Sequence, residues 1–143
     1  MHTVRTLLFA ALLAPTFSLA DTVIVVNAKG PIGKLSLEQV TDIYLGRERT
    51  ANGQILLPLD HPIASPLRAK FFLELTGKSI NQVNTYWARL VFTGQASPPL
   101  QMPDAKSVLD MVKSNLNAIA YLETDPGDKD LRIVLTLPPR AKP

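Results

Sequence analysis

Thr22-Val23-Ile24-Val25-Val26 is an uninterrupted β-branched run with no polar residue after its first member. A strand with one wet face alternates apolar and polar residues. One that does not alternate must be covered on both faces. Such a run commits the chain to a sheet with helices against it, and four amphipathic segments supply them. In the first, Ser36 caps with Gln39 as its capping-box partner, Leu37, Val40, Ile43 and Tyr44 form the stripe, and Gly46 is the stop. Ser65-Pro66 opens the second, with stripe Leu67, Phe71, Phe72 and Leu75 and an end at Gly77. Ser79 opens the third, with stripe Ile80, Val83, Trp87, Leu90 and Val91. Ala105, Val108, Leu109 and Val112 mark the fourth. Further strands are expected at Ile55 to Leu59, where Pro58 signals an edge position or an early end, at Ala118 to Leu122 and at Leu131 to Leu135. The expected class is α/β, a mixed sheet of about four strands flanked by about four helices.

Residues 1–20 read as a cleavable export signal. Arg5 gives the basic start, Leu7 to Leu13 the apolar segment, and Ser18-Leu19-Ala20 the small-x-small site before Asp21. The apolar stretch is shorter than the ~20 residues a membrane helix needs, so no membrane span is expected after processing. Cleavage leaves 123 of the 143 residues and lowers the net charge from +3 to +2 through loss of Arg5. One domain is expected over 21–137, followed by a disordered tail over 138–143, and export places the domain outside the cytoplasm. The chain has no cysteine, which excludes disulfides, thiolate zinc sites and thiol chemistry. Its basic residues are scattered singly among acids instead of clustered on one face, so no nucleic-acid partner is expected.

Chemistry concentrates in Asp60-His61-Pro62-Ile63-Ala64-Ser65-Pro66-Leu67-Arg68, between a strand end and a helix start. Ligands of open α/β sheets collect at that edge, and a helix start offers unpaired N–H groups to an anion. Arg68 flanks the apolar stripe in the first helical turn, where a cation opposes the helix dipole. Two readings stay open. Ser65 is a plain cap and Arg68 pairs with Asp60, or Ser65 Oγ, the first-turn amides and Arg68 together hold a small oxyanion. His61 is the single histidine after position 20, which removes a multi-histidine metal site, and no cofactor or metal is expected. Asp60, His61 and Ser65 hold the atoms of a catalytic triad, but neighbouring strand residues point apart and no G-x-S-x-G surrounds Ser65. No catalytic residue is therefore assigned and the protein is not expected to be an enzyme. The aromatic stretch Tyr86 to Phe92 reads as core packing.

Four stretches taken in order, Ile43 to Arg47, Asp60 to Arg68, Tyr86 to Gly94 with Pro98-Pro99, and Lys113 to Leu122, together resemble the phosphate-binding proteins of periplasmic ABC transporters. Ile43-Tyr44-Leu45-Gly46-Arg47 is similar to that family's I-F/Y-L-G-K segment, and Lys113 to Leu122 to its x-x-x-P-G-A-I-G-Y-V. The Asp60 to Arg68 stretch stands where the family has its Arg-x-Asp-Gly-Ser-Gly-Thr anion loop. Tyr86 to Gly94 with Pro98-Pro99 resembles a group of short single-domain relatives. The resemblance implies one lobe of a type II periplasmic-binding-protein-like fold, binding phosphate or a similar oxyanion in phosphate transport or sensing. It implies an anion site of Ser65 (the hydroxyl at the helix start), Arg68 (the nearby cation), Asp60 (the acid that accepts a proton from hydrogen phosphate) and Leu67, at the family's threonine position. Pro66-Leu67 departs from Gly-Thr there and removes a hydroxyl and an amide donor. The family closes two lobes over its ligand, so the resemblance also implies that a second copy of this chain, an ABC permease or an envelope sensor completes the cleft. The alternative it leaves is a ligand-free interaction module of the cell envelope built on the same fold.

Overall fold

The computed structural model describes residues 20–140. The export signal expected over 1–20 lies outside them except for Ala20, as do residues 141–143 of the expected tail. Five strands form the main sheet: β1 (Thr22–Asn27), β4 (Leu57–Asp60), β5 (Leu100–Gln101), β6 (Ala118–Leu122) and β7 (Leu131–Leu137). Their order is β5-β4-β6-β1-β7. β1 runs antiparallel to both β6 and β7, and β4 runs parallel to both β5 and β6. The sheet is therefore mixed, as expected, with one strand more than the pattern suggested. Strands β2 (Thr50–Ala51) and β3 (Gln54–Ile55) make a separate hairpin. Asn52 and Gly53 both take positive φ in its turn, as a two-residue hairpin loop requires.

β1 is buried along its whole length, which the unbroken apolar run demanded. Ile24 and Val26 face a large core with Tyr44, Phe71, Phe72, Val83 and Trp87, built from α1 (Leu37–Tyr44), α2 (Pro66–Thr76) and α3 (Ile80–Phe92). Val23 and Val25 face a smaller aliphatic core with Val108 and Val112 of α4 (Ala105–Ser114). Tyr44 anchors the larger core. Its hydroxyl donates to Leu59 O at 2.9 Å, and its ring meets Phe71 edge-on with centroids 4.8 Å apart. Phe71 in turn stacks on Tyr121 at 3.7 Å.

Pro58 does not mark an edge strand, because β4 lies between β5 and β6. The amide of Leu57 donates to Asn117 O on the β6 side, so the missing N–H of Pro58 falls on the opposite side. Pairing with β5 begins only at Leu59, and the ladder loses nothing. β5 itself lies in the Pro-rich connection after α3, where a two-residue strand leaves no period to read.

Candidate functional site

The end of β4 and the starts of α2 and α3 meet at the β5 side of the sheet. Asp60 ends β4 and is buried, and Arg68, in the first turn of α2, is only 6% exposed. Arg68 Nε donates to Asp60 Oδ2 at 2.9 Å, and Nη1 donates to Asn84 Oδ1 on α3 at 2.9 Å. The guanidinium carbon sits 5.3 Å from the ring centroid of Phe72, a cation–π distance. Asp60 Oδ1 accepts from the His61 amide at 2.9 Å and from the Tyr121 hydroxyl of β6. Burial, then the Asp60 carboxylate beside it, pushes the Tyr121 phenol far above its ordinary range, so it stays a donor. Both carboxylate oxygens are thus engaged, and the buried charge is paired and hydrogen-bonded, the condition under which such a charge is tolerated.

Arg68 is not fully engaged. A guanidinium has five N–H donors, and among the described residues Arg68 uses Nε and one donor of Nη1. Arg68 lines a cleft of about 390 Å³ together with Asp60, Asn84 and Gln101. The remaining wall is apolar: Ile63, Trp87, Ala88, Val91, Pro98 and Pro99. Trp87 has two roles, since it packs in the larger core and also forms part of this wall. Its Nε1 is buried without a hydrogen-bond partner among the described residues.

The four expected site residues divide. Asp60 and Arg68 come together in the cleft. Ser65 and Leu67 stand at the start of α2 and do not line it. The Ser65 side chain makes no capping bond, and its carbonyl takes the amides of Arg68 and Ala69. Pro66 has no N–H, so the amide of Leu67 is the first-turn donor left without a backbone partner among the described residues. The Leu67 side chain packs against the larger core. His61 is not aligned as a catalytic base. Its Nε2 lies 2.8 Å from the Tyr121 carbonyl, and its bond to Asp60 comes from the backbone amide, not the ring.

Sequence reasoning missed Asn84 and the cleft-facing role of Trp87. The signal existed: Asn84 follows Ile80 by four and precedes Trp87 by three, so an amide interrupts an otherwise apolar helical stripe. Tyr121 carried no comparable signal, because its hydroxyl meets Asp60 only through the β4–β6 pairing.

Compared with known proteins, the sequence matches no family model and no curated protein. Its fold is similar to an ABC-type phosphate transport receptor from Vibrio cholerae, with a TM-score of 0.61 and 22% identity over 82% of this chain and 47% of that one. It is also similar to a putative phosphate ABC transporter substrate-binding protein with bound phosphate from Clostridium perfringens, with a TM-score of 0.61 and 18% identity over 80% of this chain and 44% of that one. The chain therefore spans less than half the length of either structure, and matches a single lobe of a periplasmic-binding-protein fold. No helix among the described residues is long and apolar enough to cross a membrane.

Proposed function

We propose that this chain is a periplasmic single-lobe binding domain that takes phosphate or a similar oxyanion in a transport or sensing system. The observation that carries the reading is Arg68: a buried guanidinium fixed by Asp60 and Asn84 that has donors to spare and lines a cleft. A fixed fork loses little freedom when it binds an anion, and charge-assisted bonds are about twice as strong as neutral ones. Ser65 Oγ and the Leu67 amide are further donors at the neighbouring helix start. The opposite wall of the cleft comes from a second copy, a permease or an envelope sensor. Binding is passive, with no covalent step.

Calorimetric titration of the purified protein with phosphate, sulfate and acetate at millimolar concentration tests this. Saturable heat is expected from at least one of them, and Arg68→Lys should weaken it about tenfold or more by removing the outer donor edge. Arg68→Ala is a poorer probe, since it strands the buried Asp60 carboxylate and damages the fold along with the site. Flat titrations with all three anions would reject the reading.

A second reading, a docking module without a small ligand, is favoured by apolar side chains at the cleft mouth. Ile63 is 65% exposed and Val91 53%, with Phe92 exposed next to Val91 and Leu100 exposed between Pro99 and Gln101. Patches of this kind mark interaction surfaces. Under this reading Val91→Asp abolishes partner capture, while the anions leave thermal stability unchanged.

A further inference from the structure

The cleft offers more room and fewer donors than a bare inorganic anion calls for. About 390 Å³ falls within the range of pockets that hold organic molecules, roughly 300–1,000 Å³. A tetrahedral anion would occupy a small part of it and leave the apolar wall wet. The side-chain donors of the lining are the unused N–H groups of Arg68 and Asn84 Nδ2, the Asn84 oxygen being turned to Arg68. The amide of Gln101 is directed to His61 O at 3.3 Å. A hydrated dianion would exchange most of its water shell for very few bonds, beside a carboxylate that already neutralises the guanidinium. A single negative charge on a planar head meets a smaller form of each penalty, and a carboxylate matches the edge of a guanidinium in shape.

We propose that the occupant is a monocarboxylate with an apolar body. Its carboxylate lies on the outer edge of Arg68 beside Asn84, and its body lies against Ile63, Trp87, Ala88, Val91 and the Pro98-Pro99 pair. This rests on the oxyanion reading and narrows it to organic acids.

Trp87 is the only tryptophan in the chain, so its emission reports on this wall. The purified protein is titrated with 3-phenylpropionate, acetate, phosphate and the neutral 3-phenylpropionamide. We expect a saturable change in emission with 3-phenylpropionate, at an affinity at least about tenfold above acetate from the buried ring. The amide should bind at least about tenfold more weakly than the acid, because it lacks the charge. Ala88→Phe fills the cleft without touching the Asp60–Arg68 pair, and should remove binding of 3-phenylpropionate at unchanged Tm. Phosphate or acetate binding as tightly as 3-phenylpropionate would overturn the organic-acid assignment and leave the oxyanion reading standing. Equal binding of acid and amide, or full affinity in Ala88→Phe, would also overturn it. If no anion of the panel binds, both readings fall together.

Discussion

Helices α2 and α3 begin alike and are held in different ways. Each opens on a serine in extended backbone, with φ −65° and ψ 125° at Ser65 and φ −64° and ψ 158° at Ser79. Ser79 closes a reciprocal box with Gln82, at 3.3 Å in one direction and 2.9 Å in the other. The Ser65 side chain bonds to nothing in its helix. The difference lies three residues on, where one helix has Gln82 and the other Arg68. A glutamine folds back on its own cap. This arginine instead turns inward to Asp60 and to Asn84 of the neighbouring helix. One helix start is satisfied locally and closed, while the other is held by a buried ion pair and keeps donors in reserve.

The largest effect expected of this contrast is on the ion pair. Asp60→Ala leaves a buried guanidinium without its counter-charge and should cost about 3–5 kcal/mol in urea unfolding. Replacing Asp60 and Arg68 together with apolar residues should recover most of that. A loss under about 1 kcal/mol for Asp60→Ala would mean that water, not the pair, supports the α2 start.

Alkaline pH should separate the two regions next. Burial raises the Tyr44 and Tyr121 phenols above their ordinary value of 10.0, with Asp60 adding to both. Above pH 10 the unfolded chain therefore loses two protons that the folded chain keeps. Stability is unaffected below that value and then falls by about 1.4 kcal/mol per pH unit for each tyrosine. Tyr121→Phe should halve the slope between pH 10 and 11, as measured by urea midpoints. An unchanged slope would show that the Tyr121 phenol ionises normally in the fold.

The smallest effects sharpen the comparison most directly. Ser79→Ala should cost about 1 kcal/mol, the usual value of a cap. Ser65→Ala, at the equivalent position, should stay within about 0.5 kcal/mol because there is no capping bond to lose. Equal costs in thermal unfolding would erase the distinction between the two starts.

Much of the architecture was legible. The four helices, the capping box at Ser36, the cap at Ser79 and the two-sided burial of β1 follow from periods and caps that act within a few residues. The pairing of Asp60 with Arg68 was one of two readings open at the start, eight residues being a short reach. β5 and the β2–β3 hairpin escaped notice because two residues are too few to show a period. At the site, only Asp60 and Arg68 of the four expected residues share the cleft. Ser65 was grouped with them as the hydroxyl at the helix start, and it stands at the start of α2 without lining the cleft.

The sequence by itself determined the four helices, the caps at Ser36 and Ser79 and the faces the helices bury, because those depend on spacing along one chain. It also placed an acid and a cation at the strand-to-helix edge. Only the tertiary structure decided what surrounds them. Tyr121 reaches Asp60 across the β4–β6 pairing, Asn84 reaches Arg68 across the α2–α3 contact, and Pro98-Pro99 closes the cleft from beyond α3. Each of these contacts joins residues whose distance in space is fixed by the packing of whole elements. No local pattern records such a distance, and the character of the cleft, one charged edge against an apolar wall, depends on it.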